Sequence, residues 1–372
     1  MECRNSANRR VLVDLIKIPS PSGKEEEIAA KISKTLKGFG YRPRIDEYHN
    51  VIAEVGSGKT ILLNSHVDTV PPIGNWSVDP YSGKVSDGRI YGLGASDDKA
   101  GIAAMLEIAR ILNENKPSKG RVLFLFTSNE ESVKKEGREA LIGKINANVG
   151  LCLDHFIDTQ RRIVEVGIGC KGLGNFEVEV YGKAHHSSEP RKGINAIYRA
   201  AKLIEAIQNL RLPTMEEPFH EETMANATRM NTDGWPTMIP DLCKLTINYR
   251  ALPQEKKEES EERILNFVER TLEKDFTVNL NAFHEGYLID LDHPIVKIAE
   301  KSVHETGFTS KIAIAKYWID SAMLTNLHEI PTICMGLATK DQAHVKDEYE
   351  LIEDLLHGTE IVLRTVFNYL ES

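Results

Sequence analysis

The stretch 121–127 (Arg-Val-Leu-Phe-Leu-Phe-Thr) constrains this chain more than any other. Its apolar residues follow one another without a polar break. A strand with one wet face alternates, so this run reads as a central strand covered on both sides. Directly after it come Asn129, Glu130 and Glu131. Two adjacent acids at the end of a buried strand are costly unless something positive sits between them. One of them can ligate a metal while the other stays free as a base.

The flanking pattern alternates strands and helices. Segments 11–16 and 25–36 read as amphipathic helices, with Ser20-Pro21-Ser22-Gly23 between them. Short apolar runs at 51–55 and 60–64 read as strands around a Gly-Ser-Gly turn. Segment 100–112 has helical i, i+3, i+4 spacing, and 149–153 looks like another buried strand. This order predicts an α/β fold with a mixed, largely parallel sheet flanked by helices. Near residue 172 the pattern changes. Segment 176–181 alternates apolar and charged residues, which suits a strand with one wet face. A helix (195–210), two strands (224–230, 243–249), a helix (256–274) and a strand (276–283) follow. That βαββαβ order is the ferredoxin-like split unit, an α+β domain. From Pro294 the chain returns to a helix, an apolar strand (330–335) and a long helix (351–370). The expected organisation is a discontinuous catalytic domain, 1–171 and 286–372, interrupted by an inserted domain at 172–285.

Composition agrees with two domains and excludes several classes. At 372 residues the chain exceeds the roughly 250–300 at which one core stops growing. With 46 Lys+Arg against 55 Asp+Glu, the formal charge is −9. That balance, without a basic block, argues against nucleic acid and anionic membranes as partners. No apolar run approaches the roughly 20 residues of a membrane helix. The polar start is not that of a secretory signal. Five scattered cysteines (Cys3, Cys152, Cys170, Cys243, Cys334) without a C-x-x-C pair fit a reduced, cytoplasmic protein. Two nucleotide-like strings fail on context. Gly56-Ser-Gly-Lys59-Thr60 lacks the first glycine of a phosphate loop and runs into a strand. Gly167-x-Gly169-x-x-Gly172 is also followed by a strand and reads as a hinge at a domain boundary. None of four His-Glu pairs has a second His three residues beyond the Glu, and no G-x-S-x-G elbow occurs.

Five clusters remain, each at a strand end or in the loop after it, where open α/β sheets place their sites. They are His66-Val67-Asp68, Asp97-Asp98, Glu130-Glu131, Asp154 and His344. Singly, each has an ordinary structural reading: an exposed strand end, a solvated acidic loop, a helix N-cap. Together, two imidazoles and three carboxylates make the ligand set of a dinuclear site with one bridging carboxylate. Nitrogen and oxygen donors without cysteine suit zinc, with cobalt or manganese as alternatives.

These residues closely resemble a known family over essentially the whole chain. The matching segments are His66-Val-Asp-Thr-Val-Pro71, Trp76-x-x-Asp79-Pro80, Asp87-Gly88-x-x-Tyr91-Gly92-x-Gly94-Ala-Ser-Asp97-Asp98-Lys99, Glu130-Glu131 and Ala343-His344-x-x-x-Glu348-Tyr349. The family is that of the co-catalytic zinc metallopeptidases: acetylornithine deacetylase, succinyl-diaminopimelate desuccinylase, aminoacylase and glutamate carboxypeptidase. Gly182-Lys-Ala-His-His186-Ser-Ser-x-Pro190 resembles its lid, or dimerisation, domain.

The resemblance implies a role for each matching position. One divalent ion, Zn2+ or else Co2+ or Mn2+, takes His66, Asp97 and Asp154. A second takes Asp97, Glu131 and His344. Asp68 supports His66, and Glu130 is the general base for a metal-activated bridging water. His186 matches the lid histidine that reaches the partner's site in dimeric relatives, so a homodimer through the inserted domain is implied. Arg250 matches a substrate-carboxylate arginine. The implied reaction is hydrolysis of an amide bond in a small N-acyl amino acid, with a di- or tripeptidase or carboxypeptidase-like activity as the alternative. A non-catalytic metal protein of this fold is the third reading; a retained general base at Glu130 weighs against it. Three stretches depart from the family pattern: Thr237 before Met-Ile-Pro, Trp318-Ile319 before Asp320, and Gly336-Leu-Ala338 before the last histidine. Such stretches often bind the substrate carboxylate, so the departures bear on substrate and leave the metal ligands intact.

Overall fold

The protein is described by a computed structural model covering residues 2–117, 119–132, 139–216 and 218–372. The chain divides into two compact units: 1–169 with 289–313 and 319–372, and 170–288 with 314–318. The second unit therefore begins and ends a few residues outside the expected 172–285. It also takes back a short later segment, 314–318, that nothing in the local sequence pattern marks.

The first unit is a mixed α/β layer structure. Its sheet runs Arg44–Ile45, Val51–Ser57, Gly120–Thr127, Thr60–His66, Val149–Cys152, Thr332–Cys334, Ile163–Cys170, Phe156–Asp158, Ala338–Thr339. Gly120–Thr127 is parallel to Thr60–His66, which is parallel to Val149–Cys152, which is parallel to Thr332–Cys334. The apolar run that opened the sequence reading lies fully inside: Val122, Phe124, Leu125 and Phe126 are all inaccessible to solvent. Val51–Ser57 and Thr60–His66 do not pair with each other across their Gly-Ser-Gly turn. Gly120–Thr127 lies between them, antiparallel to the first and parallel to the second. Helix Lys99–Glu114 packs on Thr60–His66 and is mostly buried. Helix Ile352–Glu371 packs on Lys99–Glu114 as well.

The parallel register sets the site. His66 stands opposite Thr127, and Asn64 opposite Cys152. The loops carrying His66, Glu130, Glu131 and Asp154 thus leave the same edge of the sheet.

The second unit is an antiparallel sheet in the order Met224–Asn231, Leu242–Ala251, Gly172–Tyr181, Phe276–His284. Numbered by chain position, this is 2-3-1-4, the ferredoxin-like arrangement that βαββαβ predicts. Leu242–Ala251 alternates without fault, burying Cys243, Leu245, Ile247, Tyr249 and Ala251. Helix Ala196–Ile207 covers that face with Ala196, Ala200, Leu203 and Ile207; helix Lys257–Leu272 does so with Ile264, Val268 and Leu272. These spacings are the i, i+3, i+4 stripe of a one-sided helix. The Asn195 side chain caps the first helix by accepting from Ile197 N at 2.9 Å.

Cys152, Cys170, Cys243 and Cys334 are all buried thiols; the Cys3 side chain lies outside the described part. Among the described residues, no helix is long and apolar enough to cross a membrane.

Candidate metal centre

Asp97 is the hub of the cluster. Its Oδ1 lies 2.9 Å from His66 Nε2, and its Oδ2 lies 3.5 Å from His344 Nε2. Each oxygen of one carboxylate therefore faces a different imidazole. His344 Nε2 is also 2.9 Å from both oxygens of Glu131. One donor atom from each of His66, Asp97 and Glu131 falls within 4.8 Å of the others. Asp154 lies within electrostatic reach of Asp97, Asp98, His66 and Glu130. His66, Asp97, Glu131 and His344 thus meet in the first unit, with Asp154 and Glu130 within electrostatic reach of His66.

The backbone arranges this with little freedom. His66 is the last residue of its strand and 2% exposed. Asn129 and His344 both adopt left-handed backbone, φ +62° and +57°. Asn and His are among the few side chains enriched in that region. Asp97 and Asp98, indistinguishable by type, are separated by direction across a cis peptide bond. Asp98 turns inward, its Oδ2 accepting from Ser65 Oγ at 2.6 Å and from His66 N at 3.3 Å. A Cβ on Gly101 would fall 2.6 Å from Asp98 Oδ1, so the helix start must be bare there.

Asp68 does more than the expected support of His66. Its Oδ1 is 3.6 Å from His66 Nδ1, beyond a direct hydrogen bond, whereas its backbone oxygen is 3.0 Å away. The carboxylate instead accepts from Glu130 N and Glu131 N, each at 3.0 Å, and from Ser22 Oγ at 2.6 Å. It therefore fixes the peptide that carries both glutamates.

The electrostatics match a cation-binding cluster. Burial first, then Asp97 and Asp98, push the Asp154 carboxyl well above the usual range. Burial raises Glu131 too. Burial works to lower His66, but Asp68, Asp97 and Glu130 outweigh it and hold the ring well above its ordinary value. The Glu131 carboxylate pushes His344 up to about 9, against burial. Carboxylates this crowded need positive charge, and imidazoles with carboxylates are the donor set for zinc-like ions.

His186 and Arg250 belong to the second unit. His186 is exposed, on the short strand His185–His186 paired with Met238–Ile239, its Nδ1 2.7 Å from Ser188 Oγ. Arg250 is half-buried on Leu242–Ala251, its Nε donating to Asn248 Oδ1 at 3.1 Å. Trp318, one of the departures from the family pattern, also lies in this unit; its ring meets that of His284 at a tilt, centroids 4.9 Å apart, and its Nε1 donates to Glu285 O. Gly336 is required by close approach: a Cβ there would lie 1.7 Å from His155 O. His155 is buried, 1% exposed.

Ser22, Ser65 and Glu348 are the contributors that motif reading left without a role. Ser22 and Ser65 carry no signal beyond residue type, while Glu348 stood in a quoted motif.

A fold and a site of this kind define a metal-dependent hydrolase built on an α/β sheet. Residues 62–368 match the model of the peptidase family M20/M25/M40, and the chain belongs to that family. An acetylornithine deacetylase of Vibrio atlanticus is 26% identical over 366 residues, covering 94% of this chain and 93% of its own. An aminopeptidase PepT structure from Bacillus cereus superposes with a TM-score of 0.81 at 25% identity, covering 98% of each chain. A tripeptidase structure from Staphylococcus aureus gives 0.83 at 24% identity over 99% of each chain.

Proposed function

We propose that the protein is a dinuclear-metal hydrolase that cleaves the amide bond of a small N-acyl amino acid. The observation carrying this is Asp97, whose two oxygens each face a different imidazole. In this reading His66, Asp97 and Asp154 hold one divalent ion, and Asp97, Glu131 and His344 the other. Zinc suits these donors best, with cobalt and manganese as alternatives. Bound there, the ions supply Lewis acidity to the amide carbonyl and to water.

The chain's own residues do the rest. A Glu130 carboxylate oxygen takes a proton from the attacking water and returns it to the departing amine nitrogen. Asp68 holds the Glu130–Glu131 peptide, so the base and the neighbouring ligand keep their spacing. His186 and Arg250 keep the roles that the family resemblance implies for them, oxyanion stabilisation and pairing with the substrate carboxylate. A homodimer through the second unit completes the proposal. Met224–Asn231 lies at the edge of its sheet, and Met230 and Trp235 are exposed. Size-exclusion chromatography with light scattering tests it.

A di- or tripeptide substrate is the second reading, favoured by the likeness to PepT over nearly the full length of both chains. Turnover of the zinc- or cobalt-loaded protein on parallel panels of N-acyl amino acids and of short peptides separates the two. Hydrolysis confined to peptides overturns the first reading, and no hydrolysis in either panel overturns both.

A further inference from the structure

One buried side chain holds the loop that carries Asp97. Glu348 is 1% exposed and lies four residues beyond His344. Its Oε2 accepts from Gly94 N at 2.8 Å; its Oε1 accepts from Ser96 N at 2.8 Å and Asp97 N at 3.1 Å. The Glu348 backbone oxygen accepts from Gly92 N at 2.9 Å. Immediately beyond, Tyr349–Leu351 pairs antiparallel with Arg89–Tyr91, just ahead of the same loop. Lys99, also 1% exposed, donates from Nζ to Ile18 O at 2.8 Å, and its chain runs along Gly94. A Cβ on Gly94 would fall 2.6 Å from Thr69 Cγ2, so the loop is packed to its backbone.

Only a carboxyl group meets this demand. Three N–H groups point at one side chain, and a carboxyl group offers acceptor lone pairs on both oxygens, although burial and then Asp97 push its pKa up to about 8. We propose that Glu348 is a positioning residue: by gripping three amides of loop 94–97 from the segment that carries His344, it sets Asp97 against His344 and so the spacing of the two cation positions. This rests on the assignment of Asp97 and His344 as ligands. Removing such a support typically costs 10–100-fold in metal affinity or activity.

Glu348→Gln leaves one acceptor oxygen and puts an NH2 against a backbone N–H. Glu348→Asp keeps the carboxyl group but withdraws it by one methylene. Both variants, with wild type, are loaded with cobalt(II) as the probe. The readouts are thermal unfolding, the visible cobalt spectrum, affinity by chelator competition, and kcat and KM separately. The expected result is folded protein in which Glu348→Gln loses about 10–100-fold in cobalt affinity at one position and in kcat. Its cobalt spectrum is altered and its KM little changed, and Glu348→Asp recovers part of the loss. A wild-type spectrum, affinity and kcat in Glu348→Gln overturns the proposal. Failure of both variants to fold also overturns it, because Glu348 then serves stability and not ligand spacing. Asp97→Ala and His344→Ala are run beside them. If each retains two cobalt equivalents, the ligand assignment itself is wrong; if each loses metal while Glu348→Gln behaves as wild type, only the positioning role falls.

Discussion

His344 Nε2 lies 2.9 Å from each carboxylate oxygen of Glu131, although 213 residues separate the two in the chain. An imidazole nitrogen that close to two carboxylate oxygens either carries a proton it donates to them or shares a cation with them. If the cation is the working partner, His344→Ala should lose about one metal equivalent. Elemental analysis of the purified variant reads this directly, and two retained equivalents would contradict it.

Glu130 follows the same strand as Glu131 but is assigned to proton transfer. Glu130→Ala should cut kcat by about 10²–10⁴-fold while metal content stays at the wild-type level. Steady-state kinetics and elemental analysis on one preparation are the check. Ordinary turnover would remove Glu130 from the mechanism.

Asp68 grips the peptide N–H groups of both glutamates. Asp68→Asn keeps the shape but sets an amide NH2 where a carboxylate oxygen accepts. A drop of about 10–100-fold in kcat is expected, with KM little altered. An unchanged kcat would show that the glutamates hold their place without Asp68.

Tyr41 is buried, meets Phe124 edge-on at 5.8 Å, and donates from its hydroxyl to Ala109 O at 2.8 Å. Burial pushes its pKa above the ordinary value of 10. The folded state therefore keeps the proton longer than the unfolded chain. The stabilisation is whole below pH 10 and is lost as pH rises from there toward the folded pKa. At pH 11 the effect is about 1.4 kcal/mol, one pH unit beyond the unfolded pKa. Urea unfolding at pH 9 and pH 11 should show wild type losing more stability than Tyr41→Phe. Equal losses would rule the effect out.

Gly336 has His155 O where its Cβ would sit. Gly336→Ala must move the backbone beside Asp154, a cost of about 1–3 kcal/mol for overpacking. A lowered urea midpoint and weakened metal binding are expected together. A wild-type midpoint would mean that the segment yields without cost.

Much of this was legible in the chain. The apolar run at 121–127 announces a strand covered on both faces, because only such a strand can dispense with polar alternation. The alternation at 176–181 and the order of elements after it announce the second sheet. His66, Asp97, Glu131, Asp154 and His344 stand out because imidazoles and acids at strand ends are expensive without a task. Other features were not legible. Asp97 and Asp98 are the same residue type, and only the backbone path turns one outward and the other toward Ser65. Segment 314–318 joins the second unit through contacts, which no local periodicity encodes.

The sequence by itself determined the elements, the two sheets and the residues rich enough in chemistry to form a site, since burial period and residue type are local properties. Tertiary structure alone decided which oxygen of Asp97 faces which imidazole. It also decided that Asp68 serves the glutamate peptide more than His66, and that Glu348 grips the loop of Asp97. Those relations join positions far apart in the chain. Their geometry is set by strand register and by the pairing of buried N–H groups, which exist only once the sheet has formed.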